Sequence, residues 1–371
     1  MNSLTIAIIG AGRATELHMM GYRKVHNIQV QIKYVYDVDF EKAQKAKGLY
    51  GIEEVAKSFE EILNDKEVDV IDICTPPYTH KDMIIRGLKA DKHVICEKPL
   101  CGYFGSGHAD RDEMYETVLR DLDELEEVVN SSNKQLMYAE NFIYAPAIQK
   151  AAEIIKAKGS KILYAKGEES LAGSTSPVAG YWEKNGGGSL MRVGCHPLTA
   201  ILYLKKLEDK NNEVVKVVAD IGNVTTKLSE YEHRHIKANP YDVEDTATVC
   251  LTFTDGSKAV VIACDSRLGG SKNYVELYCN DTCLECNLTM NNAMSVYLLD
   301  EEGMGNVEIS EMLQTKCGWN NPFLSDEVMR GYINEIQDFM ESASENKKAK
   351  SNFDIAKECI KTIYRAYCSK G

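Results

Sequence analysis

The chain has 371 residues, 44% hydrophobic and 27% charged, the balance of a globular protein long enough for two domains. Its net charge of −13 argues against a nucleic-acid backbone as partner. No run approaches the roughly 18 apolar residues of a membrane helix. The start "MNSLTIAIIGAG" lacks the basic stretch of a signal peptide, and the twelve scattered cysteines read as reduced thiols, so a cytoplasmic protein is expected.

"LTIAIIGAG" reads as a short buried strand running into a glycine turn. "TELHMMGYRKVH" follows as a helix, with Leu17, Met20 and Val25 as its apolar positions. "VQIKYVYDVD" is the second strand, "FEKAQKAKGLYG" a helix stopped by glycine, and "SFEEILND" a short helix. "VDVIDICTPP" is a third buried strand ended by two prolines, "THKDMIIRGLKAD" a helix, and "HVICEKP" a fourth strand. Met114, Val118, Leu122, Leu125 and Val129 keep helical spacing, and "KQLMYAEN" is a further strand. Strands alternating with helices predict a doubly wound parallel sheet.

Pro146 opens a new helix, which places the domain boundary at 143/144. The second domain, 144–371, holds long strands: "KILYAKGEES", "VVKVVADIGNVTT", "TATVCLTFTDGSKAVVIAC" and "YVELYCNDTCLECNL". Few helices intervene and "TDGS" signals a hairpin, so an open, mostly antiparallel sheet in an α+β domain is expected. Helices return at "SDEVMRGYINEIQDFMESA" and "NFDIAKECIKTIYRAYCSKG". Cys279, Cys283 and Cys286 alternate like strand residues and have no second Cys/His pair at finger spacing, so no metal is expected there.

In "GAGRAT", Gly10 permits the tight turn and Gly12 lets backbone N–H groups approach a pyrophosphate at the helix start. Arg13 and Ala14 complete the turn, and Thr15 stands where the motif has its third glycine. Asp37, 22 residues beyond Thr15, would accept hydrogen bonds from an adenosine ribose and repel a 2′-phosphate, which favours NAD. An ordinary turn acid is the alternative for Asp37. Thr75, Pro76 and His80 follow the third strand, at the sheet edge where ligands bind. His80 has two readings, a cofactor contact or a purely structural hydrogen bond.

"GAGRATELH", "VDVIDICTPPYTH", "KHVICEKPL" and "GGGSLMRVGCHP" resemble, in order and spacing, the Gfo/Idh/MocA oxidoreductases. The likeness extends to "DVEDTATVCLTF" and the C-terminal helices. It implies a Rossmann N-terminal domain that binds NAD, with Glu97, Lys98 and Pro99 matching the family's Glu-Lys-Pro. By that resemblance Lys98 lies between nicotinamide and substrate, Pro99 sets its direction through what is often a cis peptide, and His196 matches the catalytic histidine. It also implies that the open sheet buries itself against another subunit, in a homodimer, tetramer or hexamer.

The sequence departs from the family pattern at Arg192, where many members carry aspartate, and at Thr199. The segment "CGYFGSGHADRDEM" is longer than the usual connection and would fold over the site, reach a neighbouring subunit, or lie loose on the surface. Oxidising a secondary alcohol needs a base for the hydroxyl proton and a positive group at the developing alkoxide. His196 and Lys98 supply these, His196 as base and Lys98 polarising the hydroxyl. Arg192 would disfavour an imidazolium beside it; it binds an anionic or polyhydroxylated substrate, pairs with Glu168, Glu169 or Glu140, or points away. Asn141, Tyr144 and Tyr181 are further substrate-binding candidates. Trp182 stacks on a sugar ring or packs in the core.

The expected activity is NAD(H)-dependent oxidation of a secondary alcohol on a sugar, glycoside or cyclic polyol, with oxidation at a sugar 3-position as the resemblance's narrower suggestion. Two alternatives stand beside it: an NAD-dependent glycosidase acting through a transient 3-keto sugar, and a non-catalytic NAD-binding regulator.

Overall fold

The computed structural model describes residues 2–289, 294–302, 317–320 and 327–369. Its elements run in chain order as β1 (Asn2–Ile9), α1 (Arg13–Tyr22), β2 (Ile28–Tyr36), α2 (Phe40–Tyr50), β3 (Glu54–Val55), α3 (Phe59–Asn64), β4 (Val70–Ile73), α4 (His80–Lys89), β5 (His93–Glu97), α5 (Arg111–Ser131) and β6 (Leu136–Ala139). They continue as α6 (Pro146–Lys158), β7 (Ile162–Ser170), α7 (Trp182–Asn185), α8 (Cys195–Glu208), β8 (Val214–Gly222), α9 (Glu230–His233), β9 (Thr246–Phe253), β10 (Lys258–Cys264), β11 (Lys272–Cys279) and β12 (Cys283–Asn287). The last are β13 (Val296–Leu298), β14 (Gly318–Asn320), α10 (Glu327–Arg330), α11 (Tyr332–Glu345) and α12 (Phe353–Cys368). Residues 325 and 326, the expected start of the penultimate helical segment, lie outside the described residues.

The chain forms two compact units. The first comprises 1–103, 112–144 and 331–361, and holds a six-stranded sheet in the order β3-β2-β1-β4-β5-β6, parallel throughout. β4, β5 and β6 are nearly continuous apolar runs because helices cover both faces of such a sheet. The strand order reverses between β1 and β4, which places the crevice of a doubly wound fold at their carboxyl ends. Asp72 is the exception in the β4 run, a carboxylate with no solvent exposure at all.

Two features differ from expectation. The first unit is not one continuous segment: α11 and the start of α12 return to it after the second unit is built. The cause is an apolar stripe on α11, Ile336, Phe339, Met340 and Ala343, whose Ile336 sits against Gly21 of α1 so closely that a Cβ there would clash. Segment 104–111, the middle of the long connection after Glu-Lys-Pro, likewise belongs to the second unit. The buried face of α1 also differs: it is Thr15, His18, Met19, Gly21 and Tyr22, whereas Leu17 and Met20 are only half-buried and Val25 lies beyond the helix. The close approach at Gly21 and the polar partners of His18 select that face.

The second unit, 104–111, 145–330 and 362–371, carries a sheet in the order β12-β11-β7-β10-β9-β8. It is antiparallel except where β7 runs parallel to β10. Apolar helix α8 covers one face, with ten of its residues buried. Cys283 and Cys286, three positions apart on β12, differ in burial: Cys283 is exposed, while Cys286 is buried with its thiol on the Ala147 carbonyl. Among the described residues no helix is long and apolar enough to cross a membrane.

Candidate active site

The glycine turn is built by backbone geometry. Gly10 has φ +102°, and a Cβ there would lie 2.6 Å from the Cys74 carbonyl oxygen, so only glycine fits. Gly12 is the N-cap of α1; it offers no side chain to the first-turn N–H groups, and the space a Cβ would enter is open. Thr15 takes the third-glycine position by burying its side chain and donating its hydroxyl to the Gly10 carbonyl at 2.8 Å. Asp37 accepts the N–H groups of Ala11 and Asp39, each at 2.8 Å, one on each carboxylate oxygen. Each oxygen retains a lone pair for a ribose hydroxyl. Arg13 is exposed and ion-paired to Glu16, while Ala14 is half-buried. An uncapped helix start, open space at Gly12 and a carboxylate at the end of β2 fit a dinucleotide's pyrophosphate and ribose.

The ends of β4 and β5 continue this edge. Thr75 shares a hydroxyl hydrogen bond with Thr79 at 2.7 Å, and Pro76 is exposed. His80 is fully buried: Nδ1 lies 2.8 Å from the Pro99 carbonyl and Nε2 2.9 Å from the Thr75 carbonyl. Burial lowers the ring's pKa, so it is neutral and donates to one of these two carbonyls while the other closes off its second nitrogen; enclosure by backbone corrects the cofactor-contact reading of His80. Lys98 is half-buried directly after β5, and the Lys98–Pro99 peptide is cis. Glu97 accepts the Lys98 N–H on Oε2 at 3.0 Å, and its Oε1 lies 3.2 Å from Nε2 of His18. Burial works to raise the Glu97 carboxyl, but the His18 hydrogen bond and charge, with Lys98, hold it below the usual carboxylate range. Sequence reasoning missed His18, although it stands in the quoted "GAGRATELH".

In the second unit His196 is the second residue of α8, buried at 6% exposure. A π-helical turn, Leu190–Gly194, leads into it. The glycine run before that turn exists for close packing. A Cβ on Gly188 would sit 1.9 Å from the Glu244 carbonyl oxygen, and one on Gly187 would sit 2.2 Å from the Tyr367 hydroxyl. Glu244 holds the turn: its carboxylate accepts the N–H groups of Gly188 and Leu190 and the Tyr367 hydroxyl, all at 2.9 Å, and its carbonyl accepts the Ser189 N–H. Burial raises the Glu244 carboxyl, and these donors offset part of the rise. Glu244 is a second residue sequence reasoning did not single out, although it lies in the quoted "DVEDTATVCLTF".

Arg192 follows the pairing reading with a partner the sequence did not suggest. Its guanidinium makes two hydrogen bonds, 3.1 and 3.3 Å, to the carboxylate of buried Asp265. Burial pushes that carboxyl up and Arg192 pulls it back. Arg192 and Asp265 line a cavity of about 410 Å³ together with Lys237, Tyr181 and Tyr241. Tyr181 is 40% exposed, its ring 5.2 Å from that of Tyr241.

Trp182 follows its core reading, and the substrate-contact reading of Tyr144 is corrected. Trp182 is 1% exposed, packed 4.8 Å from the Tyr367 ring and beneath the Arg111 guanidinium at 4.3 Å, so it is a core residue. Tyr144 is fully buried in the first unit; its hydroxyl donates to Asp338 at 2.8 Å and accepts the Ser351 N–H at 2.9 Å. Sequence cannot tell a buried aromatic from a stacking one, which is why Trp182 carries both readings and Tyr144 stands among the substrate candidates. Asn141, in the turn before Tyr144, is also buried.

Residues 4–139 match the Gfo/Idh/MocA oxidoreductase family, NAD-binding Rossmann fold, and residues 162–285 match the Gfo/Idh/MocA C-terminal domain. The chain is 26% identical over 282 residues to the uncharacterized oxidoreductase YrbE of Bacillus subtilis, covering 74% of this chain and 71% of that one. It is 24% identical over 292 residues to levoglucosan dehydrogenase of Pseudarthrobacter phenanthrenivorans, covering 74% and 70%. Its fold overlays that of GenD2 from gentamicin A biosynthesis, crystallised with NAD, at a TM-score of 0.79 and 19% identity over 100% of this chain and 94% of that one. With both domain matches covering most of its length, and the glycine turn, Asp37 and Glu-Lys-Pro in place along one parallel sheet, the chain belongs to the Gfo/Idh/MocA family of NAD-dependent oxidoreductases.

Proposed function

We propose that the protein oxidises a secondary alcohol of a neutral sugar, glycoside or cyclic polyol with NAD, or reduces the corresponding ketone with NADH. The observation that carries the reading is the row of strand ends in the first unit. Asp37, the Gly10–Gly12 turn, Thr75 with Pro76, and Lys98 follow β2, β1, β4 and β5 in the order of the sheet. Gly10, Gly12, Arg13 and Ala14 would hold the pyrophosphate through backbone and Asp37 the ribose; the nicotinamide accepts or supplies a hydride. Lys98 donates to the reacting oxygen and stabilises its developing negative charge, and His196 takes the hydroxyl proton. The same residues in reverse protonate a ketone being reduced.

The polar cavity of the second unit supports a polyhydroxylated substrate. The Arg192–Asp265 pair offers donors and acceptors with its charge balanced, which suits neutral hydroxyls better than a carboxylate. Levoglucosan dehydrogenase, by its name, acts on an anhydrosugar. Absorbance at 340 nm with NAD or NADP and a panel of neutral sugars, glycosides, inositols and uronic acids tests the reading. NADH from neutral members is expected. A preference for uronates contradicts the neutral class, aglycone release without net NADH indicates the glycosidase, and NAD binding with no turnover across the panel indicates the regulator.

The cofactor half has its own test. Gly12→Ala adds a methyl group into open space at an ordinary φ of −98°, so the fold tolerates it. It occupies the approach to the first-turn N–H groups, so NAD affinity measured by calorimetry should fall at least tenfold while the urea midpoint stays put. Unchanged NAD affinity would remove the pyrophosphate from this turn.

The second unit exposes Leu163 on β7 and Val215 and Val218 on β8. We propose that its open sheet is covered by another copy in a homo-oligomer, with a light-scattering mass that is a multiple of 41.5 kDa. A particle of one chain at micromolar concentration contradicts it.

A further inference from the structure

The first unit contains a row of buried charged groups that the proposed chemistry does not use. His18 on α1 has no solvent exposure. Its Nδ1 lies 2.8 and 3.0 Å from the two oxygens of Asp72 on β4, and its Nε2 3.2 Å from Oε1 of Glu97 at the end of β5. Tyr22 donates its hydroxyl to Asp72 at 2.9 Å, and the Cys74 thiol lies 3.5 Å from the same carboxylate. Glu335 on α11 is also within this buried surround, and its burial raises its carboxyl well above the usual range. Glu97 completes the row by accepting the Lys98 N–H on its other oxygen.

A neutral imidazole carries one N–H and can donate to one carboxylate only. His18 faces a carboxylate at each ring nitrogen, so both bonds form only when the ring is an imidazolium. Burial opposes that charge, but Asp72, with the Cys74 contact, overcomes it and raises the ring well above an ordinary histidine. Asp72, His18 and Glu97 then sum to one negative charge, next to Lys98. On the far side, Nδ1 of buried His80 lies 2.8 Å from the Pro99 carbonyl. Glu97 and Pro99, the residues flanking Lys98, thus each have a buried histidine ring against them.

We infer that His18 is a positioning residue for Lys98: bonded between Asp72 and Glu97, it fixes the Glu97 carboxylate that holds the Lys98 backbone, and so fixes where the lysine ammonium is presented. The inference rests on the reading of Lys98 as the group that acts on the substrate. Without the imidazolium, Asp72 and Glu97 face each other as two buried acids. One takes up a proton, Glu97 is no longer held, and the backbone of Lys98 loses its anchor. A displacement of about 1 Å at a reacting group costs on the order of a hundredfold in rate.

The test has three arms. In ¹⁵N-histidine NMR spectra of the wild-type protein at pH 8, assigned by loss in His18→Asn, both His18 ring nitrogens should carry protons; a neutral ring overturns the inference. With NAD and levoglucosan or myo-inositol as probe, His18→Asn should lower kcat about a hundredfold with little change in KM or in NADH Kd measured by fluorescence. Should that variant not fold, Asp72→Asn, which keeps the volume and removes the charge that holds the proton on His18, should give the same split. Wild-type kcat in the folded variant refutes the role of His18. The third arm adds His18→Asn to Lys98→Met: no further loss is expected if His18 acts through Lys98, and a full second hundredfold loss shows that it does not. A Lys98→Met enzyme with intact turnover would instead remove the lysine itself, a failure of the proposed function and not of the row of charges.

Discussion

Lys98→Met should reduce kcat by about a thousandfold and leave NAD affinity within a factor of a few. The side chain keeps its length and loses its charge, so the fold has little cause to change at a half-buried position. What disappears is the donor at the developing alkoxide. Single groups in that role, or in proton transfer, are typically worth about 10² to 10⁴ in rate. Dinucleotide affinity is expected to survive because the groups assigned to the pyrophosphate and ribose, Gly10, Gly12 and Asp37, lie on β1 and β2 ends and are untouched. The check is stopped-flow NADH formation with a panel substrate, beside calorimetric NAD binding. Turnover within tenfold of wild type would take Lys98 out of the mechanism. Loss of NAD binding together with turnover would make it a cofactor residue instead.

The largest stability effect is expected at Gly188, just before the turn that leads into the buried start of α8. Gly188→Ala places a methyl carbon 1.9 Å from the Glu244 carbonyl oxygen and 2.7 Å from its backbone nitrogen. Backbone atoms cannot rotate away as a side-chain end can, so the turn and the start of β9 must separate. That separation strains the four bonds through which Glu244 holds Gly188, Ser189, Leu190 and Tyr367. Overpacking of this kind costs about 3 kcal/mol, at the upper end of single-residue effects. The readout is the urea midpoint against wild type, with Gly12→Ala as the glycine control expected to be silent. His196 lies eight residues beyond Gly188, just past the same turn, so residual activity in the folded fraction should fall as well. A wild-type midpoint would show that the glycine run is not there for close packing.

The two predictions draw on different layers of information. Lys98 was legible as a candidate because a charged residue directly after a buried strand is unusual, and because Glu-Lys-Pro is a specific local pattern. The glycine turn was legible for the same reason: its position after the first strand and before the first helix follows from local spacing. The glycine run before His196 was visible as a run, but its purpose was not. Its partners, Glu244 and Tyr367, lie 56 and 179 residues further along the chain, counting from Gly188. Arg192 shows the same divide. Pairing with Glu168, Glu169 or Glu140 was one of the readings the sequence left open, while the fold supplied Asp265 at a separation of 73 residues.

From its sequence alone this protein declares two domains, a parallel sheet followed by a mostly antiparallel one, the glycine turn, and the lysine and histidine proposed for its chemistry. Each of these is written in hydrophobic period, turn residues and short motifs, which act over a few neighbours. Which side chains are walled in was decided only by tertiary packing: Trp182 and Tyr144 went to the core, His80 to two carbonyls, and His18 to a place between Asp72 and Glu97. The return of α11 to the first unit belongs to the same class. Burial and hydrogen-bond partnership depend on residues brought together from distant parts of the chain, and no local pattern records which partner a polar or aromatic side chain will meet.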